Sequence, residues 1–238
     1  MKISIWFNLL QYLSVLILSI GMFSACGVVS GRTRGSVYPN MYSQSPTSIL
    51  IMPPINETDH VDAQDYFYST ILSGLAERGY YVFSPYLSLE LLREESAADA
   101  EMFVDGSLKP FREVFGADAV LFTTIKRWEK SVLSSEITVE VEYLIKSTST
   151  HDELFKRSAA MTVDTSVMKV SGWGSLGGLV SVAANALATA ATDKVLAARK
   201  ANAWILQDLP AGKYRVREYQ KDQKTAVGTE HTVAVVVR

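Results

Sequence analysis

The only cysteine in this 238-residue chain, Cys26, closes the first hydrophobic run. That placement constrains everything after it, because no intramolecular disulfide, Cys-rich zinc site or thiol nucleophile is available to the rest of the chain. The folded part must hold together through an apolar core alone, which a chain of this length can bury. A 48% hydrophobic and 20% charged composition suits such a core. The formal net charge of -2 carries no electrostatic footprint for DNA or RNA, so nucleic acid is not expected as a partner.

The N-terminal segment reads as an address. Met1-Lys2 forms a basic tip, an apolar stretch runs from Leu9 to Phe23, and Phe23-Ser24-Ala25-Cys26-Gly27 follows. This is the signal-peptide pattern, and its end resembles a lipobox, with small residues before the cysteine and Gly after it. The thiol of such a cysteine receives diacylglycerol before cleavage. Phe23 stands where Leu is usual, yet a bulky residue there also disfavours ordinary cleavage after Ala25. The competing reading is an uncleaved transmembrane anchor, whose continuous apolar length Asn8 and Gln11 shorten. Residues 1–25 are therefore expected to be a lipoprotein signal peptide and Cys26 the lipidation site. Several acyl chains, palmitate among them, give firm anchoring. Gly27, where Asp would favour inner-membrane retention, points to the outer membrane and its periplasmic face. Residues 26–47 are rich in Gly, Ser, Thr, Asn and Pro and read as a flexible tether, with a coil reach of about 25 Å.

The domain expected over 48–210 is α/β. Ser48–Met52 is a short apolar run of the kind buried on both faces of a parallel sheet. Asp62 precedes a helical pattern carrying Phe67, Ile71, Leu72 and Leu75, which Gly79 closes. Tyr80–Phe83 then gives a βαβ opening, and Ser84-Pro85 starts further helices reaching Phe115-Gly116. Asp118–Lys126 reads as a central strand. Residues 136–146 alternate strictly, with Ile137, Val139, Val141, Tyr143 and Ile145 inward, as a half-buried antiparallel strand does. Leu154–Val163 is the next strand. A Gly-rich bend at Gly172–Gly178 leads into a long Ala-rich helix ending near Gln207. Residues 211–238 read as a C-terminal extension forming a β-hairpin. The whole is a single three-layer domain with a mixed parallel and antiparallel sheet.

Four segments carry a family resemblance: Ile49-Leu50-Ile51-Met52-Pro53-Pro54-Ile55-Asn56, Leu75-Ala76-Glu77-Arg78-Gly79-Tyr80-Tyr81-Val82, Phe115-Gly116-Ala117-Asp118-Ala119-Val120-Leu121 and Asn202-Ala203-Trp204-Ile205. Together they resemble a family of bacterial lipoproteins of unassigned function that includes a neisserial surface antigen. The likeness spans roughly Cys26 to Pro210. The family resembles in fold the N-terminal domain of TolB and the periplasmic part of the curli secretion lipoprotein CsgG. By analogy of fold alone, the resemblance implies a role in envelope assembly or secretion beside other lipoproteins. The leading expectation is a non-enzymatic binding or assembly module with envelope partners that include a CsgG-like lipoprotein, and the alternative is a subunit of a homo-oligomeric secretion structure.

Candidate sites in the domain are sparse. Asn56, Asp59, His60 and Asp62 follow the first strand, where α/β sheets bind ligands, so a metal or polar ligand is one reading of this loop. Turn formation and helix capping by the same residues is the other, and it is favoured because no two-His spacing is present. His60, His151 and His231 lie apart, with no nucleophile elbow beside the serines, so no hydrolase triad is expected. No cofactor is expected either. Leu179, Ala183 and Leu187, on the Ala-rich helix, are candidates for an oligomer interface, against the alternative of packing within the domain.

Overall fold

The computed structural model describes residues 32–131, 136–165, 194–228 and 231–237. Within Arg32–Arg238, one compact unit, two short helices come first, Arg34–Val37 (α1) and Pro39–Gln44 (α2). Then follow Ser48–Ile51 (β1), Ile55–Asn56 (β2), Ala63–Glu77 (α3), Tyr81–Val82 (β3), Pro85–Glu94 (α4), Glu101–Val104 (α5) and Lys109–Phe115 (α6). Three twelve-residue strands come next, Ala119–Lys130 (β4), Glu136–Ser147 (β5) and Glu153–Asp164 (β6). A helix described over 194–206 (α7), a short helix at Val216–Tyr219 (α8), a 3-10 turn at Asp222–Lys224 and His231–Val237 (β7) complete the described elements.

The sheet runs β3-β1-β4-β5-β6-β7, and β2 continues the line of β1 along β4. Pairing is parallel for β1 with β3 and β4, antiparallel for β4 with β5 and β5 with β6, and parallel again for β6 with β7. The expected mixed sheet and βαβ opening are therefore present. All four residues of β1 are buried, which is why its sequence is continuously apolar rather than alternating. Ile49 and Ile51 join one core with Phe67, Ile71 and Leu75 of α3 and Ala198 and Ile205 of α7. Leu50, Met52, Val120 and Phe122 face the other side, against Leu92, Leu108 and Phe111. Helices thus cover both faces, giving three layers. Each side chain of this size, fully buried, stabilises the fold by about 1.5–3 kcal/mol. In β5 the five residues expected to point inward are all buried, while Glu142 on the opposite face meets Lys126 at 3.0 Å and Lys156 at 3.5 Å.

Three expectations need correction. Residues 33–47 are not a free tether. Thr33 caps α1 through a reciprocal pair of bonds with Ser36, Pro39 opens α2, and Tyr38 and Met41 sink into the core, Tyr38 against Phe155 at 4.8 Å. The Gly, Ser and Pro content that suggested a coil supplies caps and a first-turn proline instead. Residues 211–238 are not a hairpin. Tyr214, Val216 and Glu218 fall in a turn and a short helix, and β7 lies parallel to β6. A parallel pair cannot be joined by a tight turn. Asp62 does precede α3, but its side chain makes no cap bond. The Gly172–Gly178 bend and Leu179, Ala183 and Leu187 lie outside the described residues.

Candidate functional site

The loop after β2 is built around Asn56. Its Oδ1 accepts from the Thr58 amide at 3.1 Å and the Thr58 hydroxyl at 2.8 Å, and its Nδ2 donates to the His60 carbonyl at 2.9 Å. The His60 amide donates to Thr58 Oγ1 at 3.2 Å. Asn56 is therefore spent closing the turn. Asp59 and His60 are exposed, and Asp62 reaches Lys194 at 3.8 Å across to α7. Among the described residues, no group of three or more His, Cys, Asp or Glu side chains is placed to hold a metal. The arrangement favours the turn over a ligand set.

The densest polar chemistry lies elsewhere, under the segment that follows α7. Asp222 is nearly buried and its carboxylate gathers four donors from distant parts of the chain. Oδ1 accepts from Arg34 of α1 and lies 3.4 Å from the Arg78 guanidinium just past α3. Oδ2 accepts from the Tyr42 hydroxyl at 2.7 Å and the Ala211 amide at 2.8 Å. Burial alone would raise the Asp222 pKa, but the Tyr42 hydroxyl, the Ala211 amide and the two arginines together hold it below the usual carboxylate value. Burial and the bond to Asp222 push the Tyr42 hydroxyl well up. Ala211 and Asp222 meeting on one carboxylate closes residues 211–222 into a surface loop whose ends touch.

Two glycines permit that closure. Gly79 has φ +88, which a side chain rarely adopts, and a Cβ on Gly212 would stand 2.1 Å from the Gly79 carbonyl oxygen. The Gly212 amide donates to the Arg78 carbonyl at 2.7 Å, and the Tyr80 hydroxyl donates to the Pro210 carbonyl at 2.7 Å. Beside this loop, Arg157 of β6 is fully buried, pairs with Asp208 and lies 5.0 Å from the Trp204 ring centre. Deeper, the Tyr143 hydroxyl donates to Asn202 Oδ1, and Asn202 Nδ2 donates to Thr70 Oγ1 at 2.9 Å. At the base of β1, Asp118 Oδ2 accepts from the Thr47 and Ser48 amides at 2.9 and 3.1 Å.

None of these ionic partners was singled out by sequence. Arg157 could have been, since it shares the inward register of Phe155, Ala159, Met161 and Val163, where an arginine needs a buried acid. Asp222 gave no local signal, because its side-chain partners lie 188, 180 and 144 residues away.

The surface offers two contrasting faces. On the helical layer, Tyr86, Leu87 and Leu91 of α4, Met102 of α5 and Val114 of α6 are exposed, with Leu87 at 71%. A shallow apolar groove lined by Leu91, Phe103, Pro110 and Val114 lies between these helices. The 211–225 loop is instead basic, exposing Lys213, Arg217, Lys221 and Lys224.

A family model described as "Putative lipoprotein GNA1162-like" matches residues 37–212. A protein of Neisseria meningitidis serogroup B, "Putative lipoprotein NMB1124/NMB1162", is 29% identical over 171 residues, 71% of this chain and 78% of that protein. Among solved structures, lipoprotein GNA1162 of Neisseria meningitidis is 26% identical, with a TM-score of 0.45, over 62% of this chain and 99% of its own. A PelC dodecamer from Paraburkholderia phytofirmans is 20% identical, with a TM-score of 0.34, over 65% of this chain and 89% of its own.

Proposed function

The chain belongs to the GNA1162-like lipoprotein family, and from that premise we propose that it is a lipid-anchored, non-enzymatic binding or assembly module of the cell envelope. Cys26 carries the lipid, and the domain works from the periplasmic face of the outer membrane, docking other envelope lipoproteins. A CsgG-like lipoprotein is the first partner to test.

The observation that carries this reading is the set of exposed apolar side chains on the helical layer, Tyr86, Leu87, Leu91, Met102 and Val114, of which Leu91 and Val114 line one groove. Single exposed apolar residues are ordinary, but several on one helical layer, interspersed with the exposed Glu90, Arg93 and Glu95, suit a protein-docking patch. A photo-crosslinking residue at position 87 tests it in native membranes. The expected result is a discrete adduct with another lipoprotein, abolished by Leu91→Glu. Adducts unchanged by that substitution, or none, would contradict it.

A second reading, a homo-oligomeric secretion subunit, is favoured by one observation. Strand β7 ends the sheet order among the described strands, and such an edge accepts an added strand from another copy. Light scattering of the detergent-extracted protein distinguishes the two, since the docking module is expected to be a monomer and the secretion subunit a ring.

A further inference from the structure

The folding of residues 33–47 into the domain changes the geometry of anchoring. Arg32 follows Cys26 by six residues, and six residues reach about 20 Å at most, even at full extension. The point where the chain enters the domain is therefore held close to the membrane. That point is fixed: the Val227 amide donates to the Arg32 carbonyl at 2.9 Å, the Arg34 amide donates to the Thr225 carbonyl at 2.9 Å, and Thr33 bridges Ala226.

The surface beside it is not typical of a chain with net charge -2. Between Ala211 and Thr225 stand Lys213, Arg215, Arg217, Lys221 and Lys224 against two acids. One acid, Asp222, is buried and already held by Arg34 and Arg78. The other, Glu218, meets Arg215 at 3.4 Å. Tyr214 and Val216 are about two-thirds exposed among these cations. A basic surface interleaved with an aromatic and an aliphatic side chain suits a headgroup layer, where cations meet phosphates and apolar groups enter the interface.

We infer that the closed loop 211–225 is a membrane-contact surface that recognises anionic phospholipid headgroups and orients the lipid-anchored domain. This rests on the assignment of Cys26 as the lipidated residue. It leaves the apolar strip of α4 as a separate surface for protein partners.

The test uses the full lipidated chain carrying Val216→Cys, reconstituted into vesicles with or without phosphatidylglycerol. Lipidation leaves position 216 as the only free thiol of the mature chain, so one fluorescent label per chain is expected. In phosphatidylglycerol vesicles that label should be shielded from an aqueous quencher and reached by a lipid-borne one. A label at Asp59→Cys, beyond the opposite end of β2, should stay exposed. Lys213→Glu, Arg217→Glu and Lys221→Glu together should remove the shielding. At roughly fivefold per basic residue, the contact equilibrium should weaken at least a hundredfold. Equal exposure at 216 and 59 with one label per chain overturns the membrane contact but leaves the anchor intact. Labelling of Cys26 in the unsubstituted protein overturns the anchor, and the contact with it.

Discussion

Asp222 is the residue on which the C-terminal loop depends. Its carboxylate neutralises two arginines that are otherwise close together in a poorly hydrated place. Asp222→Asn takes the carboxylate charge from both, leaving Arg34 with the Gln207 carbonyl and Asp208 at 4.0 Å, and should cost about 3–5 kcal/mol, read as a lower denaturant midpoint. The pH dependence has a definite sign. A carboxyl whose folded pKa lies below its unfolded value contributes its full stability above the unfolded pKa, near 4, and loses that contribution as pH falls through the folded value. Stability should therefore drop below about pH 4, and the drop should be shallower in Asp222→Asn. Asn202→Ala is a second test at this scale. It strands the buried Tyr143 hydroxyl, while Thr70 keeps its bond to the Tyr66 carbonyl, for an expected loss of about 1–3 kcal/mol. Gly212→Ala should be severe despite its size, because the added methyl would stand 2.1 Å from a backbone oxygen, that of Gly79, rather than from a flexible side-chain end.

Elements differed in how much of them could be read from sequence, and the differences have physical causes. Strand β5 was legible residue by residue, since one buried face and one wet face impose strict alternation. Strand β1 was legible because burial on both faces demands a continuous apolar run. Helices α1 and α2 were not, since each is held by contacts with residues more than a hundred positions away, including Phe155 and Asp222. Three alternating residues at 214–218 looked like a strand, but such a short alternation fits a turn equally well when the alternate residues face water. The proposed lipidation site rests on a local motif around Cys26, since acylation chemistry reads only the residues next to the cysteine. The ionic network depends on tertiary closure and left no local pattern, whereas the basic residues between 213 and 224 are visible as a cluster in the sequence and only their position beside Arg32 needed the fold. At this scale, Leu87→Glu with Leu91→Glu should leave stability within about 0.5 kcal/mol, because both side chains are exposed. The same pair should abolish partner capture in membranes, which separates a docking face from a structural one.

At the scale of the whole molecule, the proposed lipid on Cys26 lies six residues before Arg32, the basic loop lies beside Arg32, and the exposed apolar side chains are on α4, α5 and α6. The three-layer core needs no disulfide, which leaves the one thiol, Cys26, free for the proposed acylation. Lipid attachment is the claim from which the others follow. Intact-mass analysis of the protein extracted from envelope membranes tests it most directly. The predicted result is a mature chain beginning at a di- or triacylated Cys26. A chain retaining unmodified Met1, with a free thiol at position 26, would contradict the account.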